Sequence, residues 1–134
     1  MNEQIPPKIR STFCAKIYVG LGIEYSDESH DPEKAKKIIQ DYVDNIRWCV
    51  TVTNTEFIYC GGREPGLIVG IINYPRFPQP EKTLRIRTMA LANKLLKGLD
   101  QYRLSIVFET QTYAGNIPET ILITNEDKKD ERDS

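Results

Sequence analysis

A chain of 134 residues with 40% apolar and 28% charged residues has the balance of an ordinary globular domain, long enough to bury a core without disulfide or metal staples. Its 18 Lys and Arg against 19 Asp and Glu leave a net charge of −1, so it is not built to neutralise phosphate backbones, and nucleic acid is not expected as a partner. No apolar run reaches the length of a signal peptide or a membrane span, which predicts a cytoplasmic protein without a membrane role.

Residues 1–12, with the Pro6-Pro7 step, read as a polar N-terminal arm. A single α+β domain is expected over 13–124. Its first strand spans Phe13–Tyr25, because Phe13, Ala15, Ile17, Val19 and Leu21 fall on alternate positions. A helix follows: Asp31 is a good N-cap, Pro32 suits the first helical position, and Glu33 favours the positive end of the helix dipole. Ala35, Ile38, Ile39, Tyr42, Val43 and Ile46 then recur at the helical period and form one apolar stripe.

Trp48–Cys60 and Leu67–Tyr74 are rich in Val, Ile, Thr and aromatic residues and predict two strands around a six-residue loop, Gly61–Gly66. Gln79-Pro80-Glu81 opens a second helix with Leu84, Thr88, Leu91, Ala92, Leu95 and Leu99 on its buried stripe, closed by Gly98 to Asp100. Tyr102–Tyr113 predicts a fourth strand, alternating through Leu104, Ile106 and Phe108. Pro118–Thr124 reads as a short extra C-terminal strand, and 125–134 as a disordered charged tail.

This order, βαββαβ, is the ferredoxin-like arrangement: a four-stranded antiparallel sheet with two helices on one face. The second hairpin is apolar on both sides, with Leu67, Val69 and Ile71 pointing one way and Ile68, Ile72 and Tyr74 the other. An open apolar sheet face predicts a homo-oligomer, unless the N-terminal arm or the fifth strand folds across it. Cys14, Cys49 and Cys60 are odd in number and widely spaced, and read as reduced thiols that fill small spaces in the core.

The candidate ligand site is the proline-punctuated segment Tyr74-Pro-Arg-Phe-Pro78 at the entrance to the second helix, where unpaired backbone N–H groups attract anions. Arg76, Arg85 and Arg87 would hold a phosphate or carboxylate, Tyr74 or Phe77 would stack on a ring, and Arg63 would reach in from its loop. The competing reading makes Phe77 a staple for the helix and leaves the arginines in solvent. Arg85 and Arg87 lie about 200° apart on an ideal helix, so only one of them can face a given cleft.

Glu24, Asp27, Glu28, His30 and Asp31 could in principle hold a divalent metal, but acidity before a helix N-terminus accounts for them, and no metal or cofactor is expected. His30 is the sole histidine and has no nucleophile motif beside it. The glycines of Cys60–Gly66 lack the Gly-Lys-Ser/Thr ending of a P-loop.

Lys16-Ile-Tyr-Val-Gly-Leu21 is similar to the first-strand motif of RNA-recognition modules, which implies base stacking on Tyr18, although the third strand has no aromatic residue before Tyr74. Acylphosphatases share the predicted topology, but their arginine-bearing phosphate loop has no counterpart in Val19–Tyr25. The nitrogen-regulatory P-II proteins and the CutA proteins resemble the apolar second hairpin, which implies a trimer. The segment Cys49–Pro78 resembles small proteins of bacteriophages and mobile elements without an assigned activity.

These readings lead to a non-enzymatic homo-oligomeric binding protein, a phage-derived regulator or host-defence antagonist in the host cytoplasm, recognising a nucleotide-like anion or a host protein. The alternatives are a small phosphate-ester or acyl-phosphate enzyme using Glu24, Asp27 or His30, and a single-stranded RNA-binding module using Tyr18.

Overall fold

The computed structural model describes residues 12–23, 26–112 and 114–128. Seven elements follow one another: β1 (Thr12–Gly20), α1 (Pro32–Ile46), β2 (Thr51–Tyr59), β3 (Gly62–Ile72), α2 (Glu81–Gly98), β4 (Arg103–Thr112) and β5 (Gly115–Thr124). The strands form one antiparallel sheet in the order β2-β3-β1-β4-β5. The architecture is therefore α+β, with two helices and five strands rather than four.

Alternation decides which face is covered. Phe13, Ala15, Ile17 and Val19 of β1 are buried, as are Leu67, Val69 and Ile71 of β3 and Leu104, Ile106 and Phe108 of β4. The register sets Ile17 beside Val69 on one side and Ile106 on the other, so these side chains form one continuous layer. Against it α2 lays Leu84, Leu91, Ala92, Leu95 and Leu96, and α1 lays Ala35, Ile39 and Tyr42. The one polar side chain that α2 buries, Thr88, returns its hydroxyl proton to the Leu84 carbonyl at 2.7 Å.

α1 begins as its sequence dictates, with Asp31 Oδ1 accepting the Glu33 N–H at 2.9 Å and Pro32 in the first turn. It ends on Arg47, a non-glycine residue in the left-handed region with φ 57.

Four expectations need correction. The six-residue loop is a two-residue turn, Cys60-Gly61, with Gly61 at φ 83, and Tyr59 pairs directly with Gly62. Gly62–Gly66 is strand because Pro65 lies beyond the β1 ladder, which ends at the Gly20–Gly66 pair, so its missing N–H breaks no β1 bond. β5 is a full ten-residue strand that extends the sheet beyond β4, pairing from Gly115 to Thr124, and it does not fold across the open face. Asn125 is buried and residues 125–128 form a turn, so the expected disordered tail does not begin at 125, and residues 129–134 lie outside the described residues.

The cysteines are not core fillers either: Cys49 and Cys60 are exposed, and Cys14 is half-buried on the open face. That face is mixed, with Tyr18, Ile68 and the 45% exposed Ile72 set among Lys16, Thr53 and Glu109. Tyr74 lies past the end of β3 and belongs to a loop. The N-terminal arm lies outside the described residues. Among the described residues no helix is long and apolar enough to cross a membrane.

Candidate functional site

Where β1 runs out, the chain is held by backbone hydrogen bonds. Leu21 N–H donates to the Pro65 carbonyl (2.9 Å), His30 N–H donates to the Leu21 carbonyl (2.7 Å), and Gly22 bridges to Ser29. Glu64 of β3 lies across this segment, accepting the Gly22 N–H on Oε2 at 2.7 Å. Only glycine permits that approach, since a Cβ at Gly20 would stand 2.9 Å from Glu64 Oε1 and one at Gly22 would overlap Oε2. On the far side, Gln101 Nε2 donates to the Gly22 carbonyl at 3.0 Å. The Gln101 carbonyl accepts from Nδ2 of Asn125, also at 3.0 Å. A chain of hydrogen bonds thus runs from buried Asn125 through Gln101 and Gly22 to the Glu64 carboxylate.

Glu64 opens on a cleft of about 610 Å³ at this end of the sheet. Asp27, Glu28 and Asp100 line it with Glu64; Tyr59 and Tyr102 supply rings, and Arg63 is the cation on its wall among the described residues. Asp100 is matched by Lys128 at 3.1 Å, whereas Asp27, Glu28 and Glu64 form no ion pair among the described residues. The excess of carboxylate suits a ligand carrying positive charge, and the volume falls within the range of pockets that enclose small molecules.

The sequence-predicted site residues are dispersed. Arg63 borders the Glu64 cleft and faces Glu56 at 4.0 Å. Tyr74, Phe77 and Arg87 line a second, smaller cleft at the opposite end of the sheet, where Arg76 lies over the Phe77 ring at 5.4 Å. The Tyr74 hydroxyl accepts from Cys49 Sγ at 3.5 Å, and this bond first, then burial, raises its pKa.

Arg85 takes no part in either cleft. It bonds Glu81 at 2.9 Å and Glu119 at 2.6 Å and lies over the Phe13 and Phe108 rings, tying α2 to β5. The bond to Glu119 raises its pKa. The arginines thus do not converge: Arg87 stacks on Trp48 instead, on another side of the helix. Among the described residues no three metal-ligating side chains come together. Asp31 is spent as the α1 cap, and Glu24 lies outside the described residues.

The residues that make the Glu64 cleft escaped the sequence reading because Glu64 and Gly22 meet across 42 positions, and Gln101 and Gly22 across 79. One signal was available. Gly20 and Gly22, two apart on a strand, leave one face of that strand bare, which predicts that another group lies against it.

No protein-family model matches the chain, and no curated protein matches it. Two solved structures share its fold. A phage SAM lyase in the apo state superposes with a TM-score of 0.66 at 18% identity, over 92% of this chain and 98% of that one. A phage SAM lyase in complex with S-methyl-5'-thioadenosine superposes with a TM-score of 0.66 at 16% identity, over 94% of this chain and 100% of that one. The phage resemblance is therefore supported at the level of fold. The expectation of a non-enzymatic binding protein is overturned, because the solved chains that share the fold end to end are those of an enzyme acting on S-adenosylmethionine.

Proposed function

We propose that the chain is a lyase of S-adenosylmethionine, phage-derived, working in the host cytoplasm from the Glu64 cleft. The observation that carries this reading is the likeness to a SAM lyase over nearly the whole length of both chains. The cleft agrees with it. S-adenosylmethionine carries a sulfonium and an ammonium against one carboxylate, and Asp27, Glu28 and Glu64 supply the opposite charge. Tyr59 or Tyr102 would stack on the adenine.

A lyase that leaves S-methyl-5'-thioadenosine breaks the bond between sulfur and Cγ of the amino-acid chain, adding no water. The substrate's own carboxylate attacks Cγ, a C–O bond forms, and the Cγ–S pair passes to sulfur, which becomes a neutral thioether. The remaining four carbons close as homoserine lactone and keep the ammonium. Five-membered ring closure draws on high effective molarity, about 10⁵ M or more when the ends are held, and needs no external base.

Charge sets the role of the acids. The sulfonium loses its charge on the way to the transition state, so a carboxylate held against sulfur would favour the ground state. The ammonium keeps its charge throughout. We assign Glu64 to the ammonium, where it orients the chain so that the substrate carboxylate reaches Cγ from the side opposite sulfur. Gly22 and Gln101 hold Glu64 in place.

Two further features belong to this reading. The first four strands form a ferredoxin-like sheet to which β5 is added. Tyr18 and Ile68 on the open sheet face join copies into a homo-oligomer.

The test is to incubate the purified protein with S-adenosylmethionine and follow S-methyl-5'-thioadenosine and homoserine lactone by mass spectrometry against a protein-free control. Both products should form in equal amounts, and Glu64→Gln should slow them by at least about tenfold. Decay at the control rate, with no binding of S-methyl-5'-thioadenosine, would sink the proposal.

A further inference from the structure

The second cleft measures about 240 Å³ and lies at the end of the sheet away from Glu64, between the link from α1 to β2, the end of β3 with the loop after it, and the first turns of α2. Trp48, Tyr74 and Phe77 line it, together with Arg47 and Arg87. Its loop is held in shape from within. Asn73 Nδ2 donates to the Gln79 carbonyl and Asn73 Oδ1 accepts the Gln79 N–H, both at 2.9 Å, while Phe77 N–H closes a turn onto the Tyr74 carbonyl at 3.0 Å. So clamped, the loop leaves Phe77 68% exposed beside the less accessible Ile72.

Charge is the second observation. Among the described residues no carboxylate lines this cleft. Arg47, Arg76 and Arg87 form no ion pair among the described residues; Arg87 lies 5.8 Å from the Trp48 ring centroid and Arg76 5.4 Å from that of Phe77. Three uncompensated guanidinium groups therefore surround three aromatic rings, in a chain whose net charge is −1.

We infer that this cleft docks an acidic segment of a partner protein, which inserts one aromatic or aliphatic side chain among Trp48, Tyr74 and Phe77 while its flanking carboxylates meet Arg47, Arg76 and Arg87. The volume lies below the range of about 300–1,000 Å³ typical of pockets that enclose a small molecule, so the cleft suits one side chain better than a nucleotide. Trp, Tyr and Arg are the residues that dominate binding energy at protein interfaces, and a preformed loop lowers the ordering cost of association. Three arginines on a chain of negative net charge are too few for a nucleic-acid track. The inference does not depend on the lyase reading, since the two clefts share no residue among those described.

Trp48 is the single tryptophan of the chain, so its fluorescence reports on this cleft alone. The full chain is titrated with the peptide acetyl-Asp-Glu-Asp-Glu-Phe-Asp-Glu-Asp-Glu-amide, with a version carrying Ala for Phe, and with one carrying Lys at every acidic position. The acidic Phe peptide should shift Trp48 emission saturably and weaken at high salt. The Ala version should not saturate, and Arg47→Gln combined with Arg76→Gln should weaken binding about tenfold while leaving the Trp48–Arg87 stack in place. Absence of saturation with the acidic Phe peptide, or equal binding of the Lys peptide, overturns the inference. So does a Trp48 emission that varies with protein concentration, which would give the cleft to a second copy. A shift on deleting residues 2–11 would give it to the chain's own arm, with the same result.

Discussion

Replacing Gly22 with alanine tests the arrangement on which the Glu64 cleft depends. The new methyl would overlap Glu64 Oε2 and stand 3.2 Å from its Cδ, so the carboxylate must leave and give up the 2.7 Å bond from the residue 22 N–H. A hydrogen bond to a charged acceptor contributes about 1.5–3 kcal/mol, and Glu64 has a flexible chain that can swing towards solvent, so overlap itself adds little. Against this, alanine lowers the entropy of the unfolded chain by about 0.4–1 kcal/mol. The net cost is ~1–2 kcal/mol, or roughly 4–8 °C in Tm for a domain of this size. The assay is a double-mutant cycle of thermal melts with Glu64→Ala. In that background there is no carboxylate to displace, and Gly22→Ala should be neutral or slightly stabilising. If alanine at position 22 destabilises both backgrounds equally, backbone strain is responsible, and the account of Gly22 and Glu64 given above is wrong.

Other expectations can be checked alongside. Arg85→Ala should lower stability by about 1–2 kcal/mol by releasing Glu81, Glu119 and the Phe13–Phe108 stack, without altering the proposed cleavage; Arg85→Lys should recover less than half, lacking the planar fork. Asn125→Ala leaves the Gln101 carbonyl without its side-chain donor, and should cost about 1–3 kcal/mol in thermal melts and slow the proposed cleavage as Glu64 loosens. Burial first, then the Glu109 charge, pushes the Cys14 thiol up, so its thiolate fraction lags at neutral pH and grows as pH rises. Iodoacetamide mapping at pH 8 should find exposed Cys49 and Cys60 alkylated ahead of Cys14, with the gap narrowing at higher pH.

What could be read from the chain was what short-range physics decides. The Asp31-Pro32-Glu33 start of α1 and the alternation through Phe13, Ala15, Ile17 and Val19 are local patterns, and the structure reproduces both. Pro65 misled, because it marks a turn in isolation yet sits in a strand beyond the β1 ladder, where its missing N–H is not required by a neighbour; Pro118, read as the start of the last strand, lies three residues inside it, on the edge of the sheet. The arginines drew notice because they cluster in sequence, whereas Glu64, Gln101 and Asn125 meet only through the antiparallel register. Net charge concealed the rest, since an acidic cleft at one end of the sheet and a basic one at the other average to −1.

The Asn125 turn also governs where a reporter can be attached. Asn125 N–H donates to the Tyr102 carbonyl at 2.7 Å, and Lys128 reaches Asp100, so residue 128 emerges at the mouth of the Glu64 cleft. A dye or affinity tag joined there would crowd the entrance and compete for Asp100. The β4–β5 hairpin tip, ten paired positions away, presents exposed Ala114 and Gly115 at the other end of the strands. An insertion at that tip is the attachment that should leave the entrance of the Glu64 cleft unobstructed.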